Sequence, residues 1–369
     1  MANEVGPGAK LPTVLQLRDR LGVSMVTVSA ALDELEAQRV IRRKHGVGIF
    51  VAPRVRERNV ALICDPAFFG DPNASPFWDL LTTRVRQRVE EHGESIWLHF
   101  AAGVWEHTDA RTGRDLLNEG LAQDILSGRI DGVLAVGLPH AASRWVEAQG
   151  VPLVSFAGGA HNGVALEPAT VVREGAAELI RQGCRRIGLW SPAHRPRPWE
   201  PNAMSGFRRR QRQAYEEVLA AHGLPLDESL IRDNKERVAA SDGGRGPSSQ
   251  EQGFLCVMET FGENGDSATR PDGIVFTDDM LTIGALPALN RLGLRPGRDV
   301  RIATHANVGS PVLLGWEEDL ILVEVDPAEL VERMVALLER LMDEHTAGIL
   351  QSTAEGEGTW ESVMPRLRT

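Results

Sequence analysis

Along most of the chain, short apolar runs alternate with longer stretches in which apolar positions recur every three or four residues. The runs lie at 60–64, 132–136, 152–156, 186–190, 273–277 and 300–304, and 96–100 and 163–166 fit the same role. Near-continuous apolar runs of this length mark strands buried on both faces. The segments between them, such as 80–91, 173–182, 211–222, 281–292 and 328–344, have the spacing of helices with one apolar face. Strand alternating with helix predicts an α/β body built on doubly wound parallel sheets. Residues 234–250 and 262–270, rich in Gly, Ser and charge, read as loops.

The first fifty residues follow a different rhythm. Pro12-Thr13 suits a helix start, Leu15, Leu17 and Leu21 give one apolar face, and Gly22 can adopt the conformation that ends the helix. Ser24 suits the N-cap of a second helix, in which Val28, Ala31, Leu32 and Leu35 fall at i, i+3, i+4 and i+7. Residues 41–51 then read as a hairpin with Gly46 at its tip. Helix, turn, helix and wing in this order form an architecture that docks on duplex DNA. The surface left free on the second helix, Ser24, Met25, Thr27, Ser29 and Ala30, would face base edges. Arg42, Arg43, Lys44 and His45 would meet phosphates, and Gly46 would let the tip enter a groove. A plain helical hairpin would leave the wing unexplained; a winged helix serving only protein contacts is the other reading. The polar segment 52–58 reads as a linker, giving a winged helix-turn-helix domain over 1–51 and a body over 59–369.

Charge agrees with this division. Residues 1–58 hold ten Lys and Arg against six Asp and Glu, whereas the whole chain stands at −11, so the body carries −15. A mildly basic head on an acidic body fits a nucleic-acid module on a body that DNA repels. Such a head binds weakly alone, and pairing two on one duplex is the usual remedy.

Ligands of open α/β sheets sit beyond the carboxyl ends of strands. Here those ends offer Asp65 with Phe77 and Trp78, then Trp190, Asp278, Asp279, His305 and Asn307. Carboxylates and amides can hydrogen-bond a polar ligand, and an aromatic ring can stack on its apolar face. Blander roles compete: Asp279 as a helix cap, Trp190 as core, His305 as a structural histidine. The sequence contains no GxSxG, GxxxxGK[ST] or HExxH motif and no GxGxxG after a strand, and its histidines lack metal-ligand spacing. No catalytic residue, metal or cofactor is therefore expected. No run of about 18 apolar residues exists, so no membrane span is expected. The absence of an export signal, with three widely spaced cysteines (Cys64, Cys184 and Cys256), points to the cytoplasm and away from a transport-type solute-binding protein.

The head resembles the winged helix of the GntR family through Leu11-Pro12, Leu21-Gly22-Val23-Ser24, Thr27-Val28, 31–36 and the tip 45–51. It departs at Leu15, Met25, Ser29 and Ala30, where that family carries arginines, which implies altered base readout. The family's first helix also needs more residues than 1–10 supply, so it is expected to be shortened or absent. The body is similar to the LacI-type effector domain, which shares the fold of periplasmic sugar-binding proteins. The matching pieces are 59–63 leading into Pro76-Phe77-Trp78, then 130–133, 150–154, 181–188, 215–226, 271–279 and 284–299. This resemblance implies two lobes, about 59–164 with 325–345 and about 165–322 with 349–369. It also places Gln211 where the family uses a ligand-clamping arginine, and Ala306 where it uses an aspartate. The whole looks like the arabinose-repressor type of regulator. The implied function is a homodimeric transcription regulator, a repressor more often than an activator, binding operator DNA under control of a sugar-like effector between the lobes. The apolar stripe Leu330, Met334, Leu337, Leu338 and Leu341, with helix 80–91, is the expected dimer face. The alternative is a constitutive DNA-binding dimer whose cleft no longer takes a ligand.

Overall fold

The computed structural model describes residues 8–37, 40–44, 46–51, 58–69, 74–91, 94–101, 112–193, 205–239, 246–263, 265–347 and 358–368. The chain divides into two compact units, Met1–Asn59 with Glu90–Ser95, and the remainder.

In the head, α1 (Val14–Leu21) opens on a capping box between Thr13 and Gln16 and closes at Gly22. Gly22 has φ 66° and donates its N–H to the Arg18 carbonyl, a geometry glycine enters without strain. α2 (Met25–Ala37) starts as expected: Ser24 Oγ accepts the Thr27 N–H at 3.1 Å. β1 (Ile41–Lys44) and β2 (Gly48–Val51) pair antiparallel, Ile41 opposite Val51. The sequence pattern did not reveal a third extended segment. Leu11 N–H donates to the Ile49 carbonyl at 2.8 Å, and Val51 N–H to the Ala9 carbonyl at 2.8 Å. Among the described residues no helix precedes α1. Leu17, Val28, Leu32, Ile41 and Ile49 close the small core.

The body holds two six-stranded sheets. The first contains β3 (Asn59–Cys64), β4 (Ser95–Phe100), β5 (Gly132–Val136), β6 (Leu153–Phe156), β7 (Gly163–Leu166) and β13 (Trp360–Val363), in the order β13-β7-β6-β5-β3-β4. Packed with it are α3 (Phe77–Glu91), α4 (Glu119–Leu126), α5 (His140–Ala148) and α11 (Pro327–Thr346). The second sheet contains β8 (Ile187–Trp190), β9 (Ile231–Arg232), β10 (Gly273–Phe276), β11 (Arg301–Asn307), β12 (Ile321–Val325) and β14 (Arg366–Leu367), in the order β14-β12-β11-β10-β8-β9. Its helices are α6 (Pro168–Arg181), α7 (Ser205–Ala221), α8 (Lys235–Ala239), α9 (Ser249–Phe261) and α10 (Asp279–Arg291). The chain passes between sheets three times: from β7 to α6, from β12 to α11, and from β13 to β14. The tail expected with the second lobe is thus divided, since β13 pairs parallel with β7 in the first sheet and only β14 joins the second.

The apolar stripe on α11 belongs to the core. Leu330, Met334, Leu337, Leu338 and Leu341 are buried against Val60, Leu62 and Leu134, as are Leu81, Val85 and Val89 of α3. Burial of each such side chain contributes about 1.5–3 kcal/mol, which accounts for the amphipathic pattern without a second chain. Arg88 and Glu332 bind α3 to α11 by a paired hydrogen bond, Nη2 to Oε1 at 2.8 Å. The segment read as a loop at 234–250 contains α8 and the start of α9, which Ser248 and Glu251 cap reciprocally. All three cysteines are free and buried. Among the described residues no helix is long and apolar enough to cross a membrane.

Candidate functional site

Two groups of residues stand where chemistry is possible, one in each unit. In the second lobe, α10 leaves the carboxyl end of β10, and its first turn faces the end of β11. Asp278 is the N-cap, accepting the Leu281 N–H at 2.9 Å. The capping role considered for Asp279 therefore falls one residue earlier. Asp279 is only 3% exposed. Asn307 Nδ2 donates to its carboxylate at 3.0 Å, and Asn307 Oδ1 lies 3.2 Å from His305 Nε2. Burial pushes the Asp279 carboxyl up to about 6 even though the Asn307 hydrogen bond opposes the shift. Burial lowers the His305 imidazole, against the pull of the Asp278 charge and its bond to Asn307. Beside them Thr277 Oγ1 donates to Ser191 Oγ at 3.0 Å, bridging the ends of β10 and β8. A cavity of about 370 Å³ opens next to Asp279 and Asn307, lined also by Ala306, Ser310, Leu313 and Glu324. Four expected residues are thus brought together.

Others are placed elsewhere. Trp190 is 1% exposed and edge-on to Phe276 at 5.3 Å, so its ring is core and offers no face for stacking. Gln211 is buried on α7, one turn before the core residues Ala214 and Tyr215. The arginine of this helix that reaches the end of β8 is Arg208, whose Nη2 donates to the Pro192 carbonyl at 2.7 Å. Sequence reasoning centred on Gln211 and its neighbours passed over it by one turn. Asn234 was also missed; its left-handed φ of 55° and its Nδ2 bond to the Ser191 carbonyl at 2.9 Å hold that same strand end.

In the first lobe, Asp65 is buried at the end of β3, and Phe77 lies in the core. Trp78 is half-buried, but Phe68 stacks on it at 3.9 Å and 6°, so one face of its ring is already covered. Phe156 and Phe77 complete this aromatic group. Gly137, at φ 73°, is required here: a Cβ would lie 2.2 Å from the Phe68 ring and 3.0 Å from Asp65 Cβ.

In the head, Ser24 and Thr27 hydroxyls bond each other at 2.8 Å. Met25 and Thr27 are exposed and Ser29 is half-buried. Arg42, Lys44 and Gly46 are exposed on the wing, and His45 lies outside the described residues. Arg43, expected at a phosphate, is ion-paired within the head. Its N–H donates to Glu36 Oε1 at 2.9 Å, and its guanidinium sits 2.7 Å from Asp33 and 3.4 Å from Glu36. These contacts join the wing to α2, and a cation already paired with two carboxylates is expected to release fewer counterions on meeting a phosphate. Lys10 was not anticipated: its stem lies over Gly48, with Nζ 5.9 Å from the centre of the Phe50 ring.

The model of bacterial regulatory proteins of the gntR family matches residues 1–51, and that of the periplasmic binding protein-like domain matches residues 176–354. The chain joins a GntR-type head to a periplasmic-binding-protein-like body. Among solved structures the chain is similar to the transcription regulator CcpA of Lactococcus lactis, with 18% identity, TM-score 0.59, and 85% of this chain and 98% of that one covered. It is similar also to a regulatory protein of the LacI family from Chloroflexus aggregans, with 17% identity, TM-score 0.59, and 84% and 96% covered. A third is the transcriptional regulator CelR in complex with cellobiose, with 20% identity, TM-score 0.58, and 97% and 99% covered. At these identities the likeness concerns the fold. No curated protein matches the chain by sequence.

For the GntR-type head, the ion pairs of Arg43 separate two kinds of cation. Arg42→Ala and Lys44→Ala are each expected to reduce the slope of log affinity against log salt by about 0.9 if each meets a phosphate. Arg43→Ala is expected to change that slope much less. Titration of a duplex at several salt concentrations reads both. An equal loss of slope for Arg43→Ala would show that its guanidinium leaves α2 for the backbone of DNA.

Proposed function

We propose that the protein is a DNA-binding transcription regulator, a repressor, acting as a homodimer whose operator affinity is set by a small polyhydroxylated effector such as a sugar. The observation that carries the effector half is the convergence of Asp278, Asp279, His305 and Asn307 on the carboxyl ends of β10 and β11. Acceptors and amide donors held by a rigid sheet, with an open cavity alongside, suit a ligand rich in hydroxyl groups. The aromatic group at Phe68 and Trp78 supplies apolar surface at the corresponding strand ends of the first lobe. The cellobiose bound by the structural neighbour CelR supports the same ligand class. The GntR-type head supplies the DNA half. Two lobes joined by three chain passages can open and close, and an effector that prefers one state changes how two heads in a dimer meet the duplex. It switches nothing unless its affinity differs between the states.

The test is a thermal-shift panel of sugars, sugar phosphates, polyols and nucleosides on the full chain, followed by DNA retention with and without each hit. A ligand present at a hundredfold its Kd should stabilise the fold by about 2.7 kcal/mol, and Asn307→Ala should abolish the shift. Hits that leave DNA retention unchanged would sink the coupling. Silence across the panel together with firm DNA binding would establish a constitutive DNA-binding dimer instead.

A further inference from the structure

The exposed part of α2 is apolar where a helix that reads DNA is normally polar. Val26 is 79% exposed and Met25 40% exposed, with Thr27 and Ala30 also at the surface. The inward face, Val28 and Leu32, is already satisfied by the core. The polar groups of the first turn are engaged locally, since Ser24 and Thr27 hydroxyls bond each other and Ser24 caps the helix. From Met25 to Ala37 the helix contains no Arg, Lys, His, Asn or Gln. Its acids lie in the second half, where Asp33 and Glu36 hold Arg43, and that end would be repelled by phosphate. Only the N-terminal half, which carries the positive end of the helix dipole, suits the approach of DNA, and the same domain exposes the wing cations Arg42 and Lys44.

Each base presents a different demand in the major groove. Guanine takes a bidentate cation, adenine a bidentate amide, and cytosine an acceptor; the 5-methyl group of thymine takes an apolar contact. α2 lacks the first two side-chain types, its carboxylates all lie in its second half, and the Ser24 and Thr27 hydroxyls are engaged with each other. We infer that this head selects its operator through 5-methyl groups of pyrimidines in the major groove, contacted by Met25, Val26 and Thr27. The inference rests on the DNA-binding reading above and names the chemistry that the reading leaves open. Thymine and 5-methylcytosine both carry that methyl.

The experiment uses the full chain and a pool of duplexes with a randomised central segment. The retained duplexes are resynthesised with deoxyuridine in place of thymine, which removes the methyl and leaves base pairing and the other groove atoms intact. Affinity is expected to fall roughly fourfold for each methyl contacted, the equivalent of one buried carbon. Where a retained thymine is replaced by cytosine, 5-methylation of that cytosine should recover part of the loss. Val26→Ser, at a position too exposed to disturb folding, should bring the thymine-to-deoxyuridine ratio toward one with the salt slope unchanged. Duplexes retained equally with thymine and deoxyuridine would overturn the inference while leaving the DNA-binding reading intact. Retention of no duplex would overturn both. If Val26→Ser leaves the ratio unchanged but lowers the mass in solution, the face is a contact between copies of the chain, and the inference also fails.

Discussion

Replacing Gly284 with alanine is expected to lower the melting temperature by roughly 4–8 °C, the equivalent of about 2 kcal/mol in a domain of this size. Gly284 on α10 and Gly253 on α9 sit where the two helices cross backbone to backbone. A Cβ on Gly284 would lie 2.0 Å from the Gln250 carbonyl oxygen, and one on Gly253 would lie 1.9 Å from the Leu281 carbonyl oxygen. Both obstacles are main-chain atoms of a neighbouring helix, so the helices must part. Overpacking of this kind costs about 3 kcal/mol. Against it stands helix propensity, which favours alanine over glycine by about 1 kcal/mol. The close contact wins, and the sign of the result identifies it. Gly206 of α7 has nothing within 4 Å of a Cβ, so Gly206→Ala is the control and should cost nothing. The double variant Gly253→Ala with Gly284→Ala should lose less than the sum, because one separation of the helices relieves both clashes. A melting temperature unchanged in Gly284→Ala would show that the helices do not cross this closely. The contact also bears on the site: α10 carries Asp278 and Asp279 in its first turn, so a displaced α10 should weaken the thermal shift produced by any ligand found.

The sequence carried most of the body because buried parallel strands write themselves as apolar runs. Each of the eight runs corresponds to a strand, within a few residues at its ends. What it did not reveal was short or broken. β9 and β14 are two residues long and bear no period, Glu324 interrupts β12, and β13 places Glu361 between Trp360 and Ser362. In the head, caps and turn glycines were legible because Thr13, Ser24 and Gly22 act locally. The third extended segment was not, since Gly8-Ala9-Lys10 shows no alternation and is held by backbone hydrogen bonds to β2. The site was half legible. Of the residues expected at strand ends, Asp278, Asp279, His305 and Asn307 lie together, although His305 and Asn307 belong to the end of β11 itself and do not follow it. Which side chain turns outward is decided by packing, and that is why Trp190 and the α11 stripe proved to be core. The bonds of Arg43 to Asp33 and Glu36 bring the wing against the helix, a contact that spacing along the chain does not encode.

The two titrating groups at the end of β11 should give the fold opposite dependences on pH, and single substitutions should separate them. Asp279 is raised from 3.8 to about 6 by burial, so the native state holds its proton more tightly than the unfolded chain does. That contribution is present in full below the unfolded value and is lost as pH rises through about 6; two pH units correspond to about 3 kcal/mol. His305 is lowered from 6.5 by burial, so its unfolded form takes up the proton first and stability is lost as pH falls below that value. Between about pH 4 and 6.5 the two effects oppose each other, and Asp278, whose charge favours the imidazolium, moderates the second. Asp279→Asn keeps an oxygen for Asn307 Nδ2 and removes the charge. It is expected to raise stability at pH 7 by up to about 3 kcal/mol and to remove the gain on acidification that Asp279 supplies. His305→Gln should remove the loss that the imidazole contributes, so that relative to the parent the variant gains stability as pH falls below 6.5. Denaturant midpoints measured across this range would distinguish the profiles. If both variants keep the parent profile, neither group titrates in the folded protein as its burial requires. A gain at pH 7 accompanied by loss of ligand response would mean that the Asp279 charge is retained, at a cost to stability, for binding.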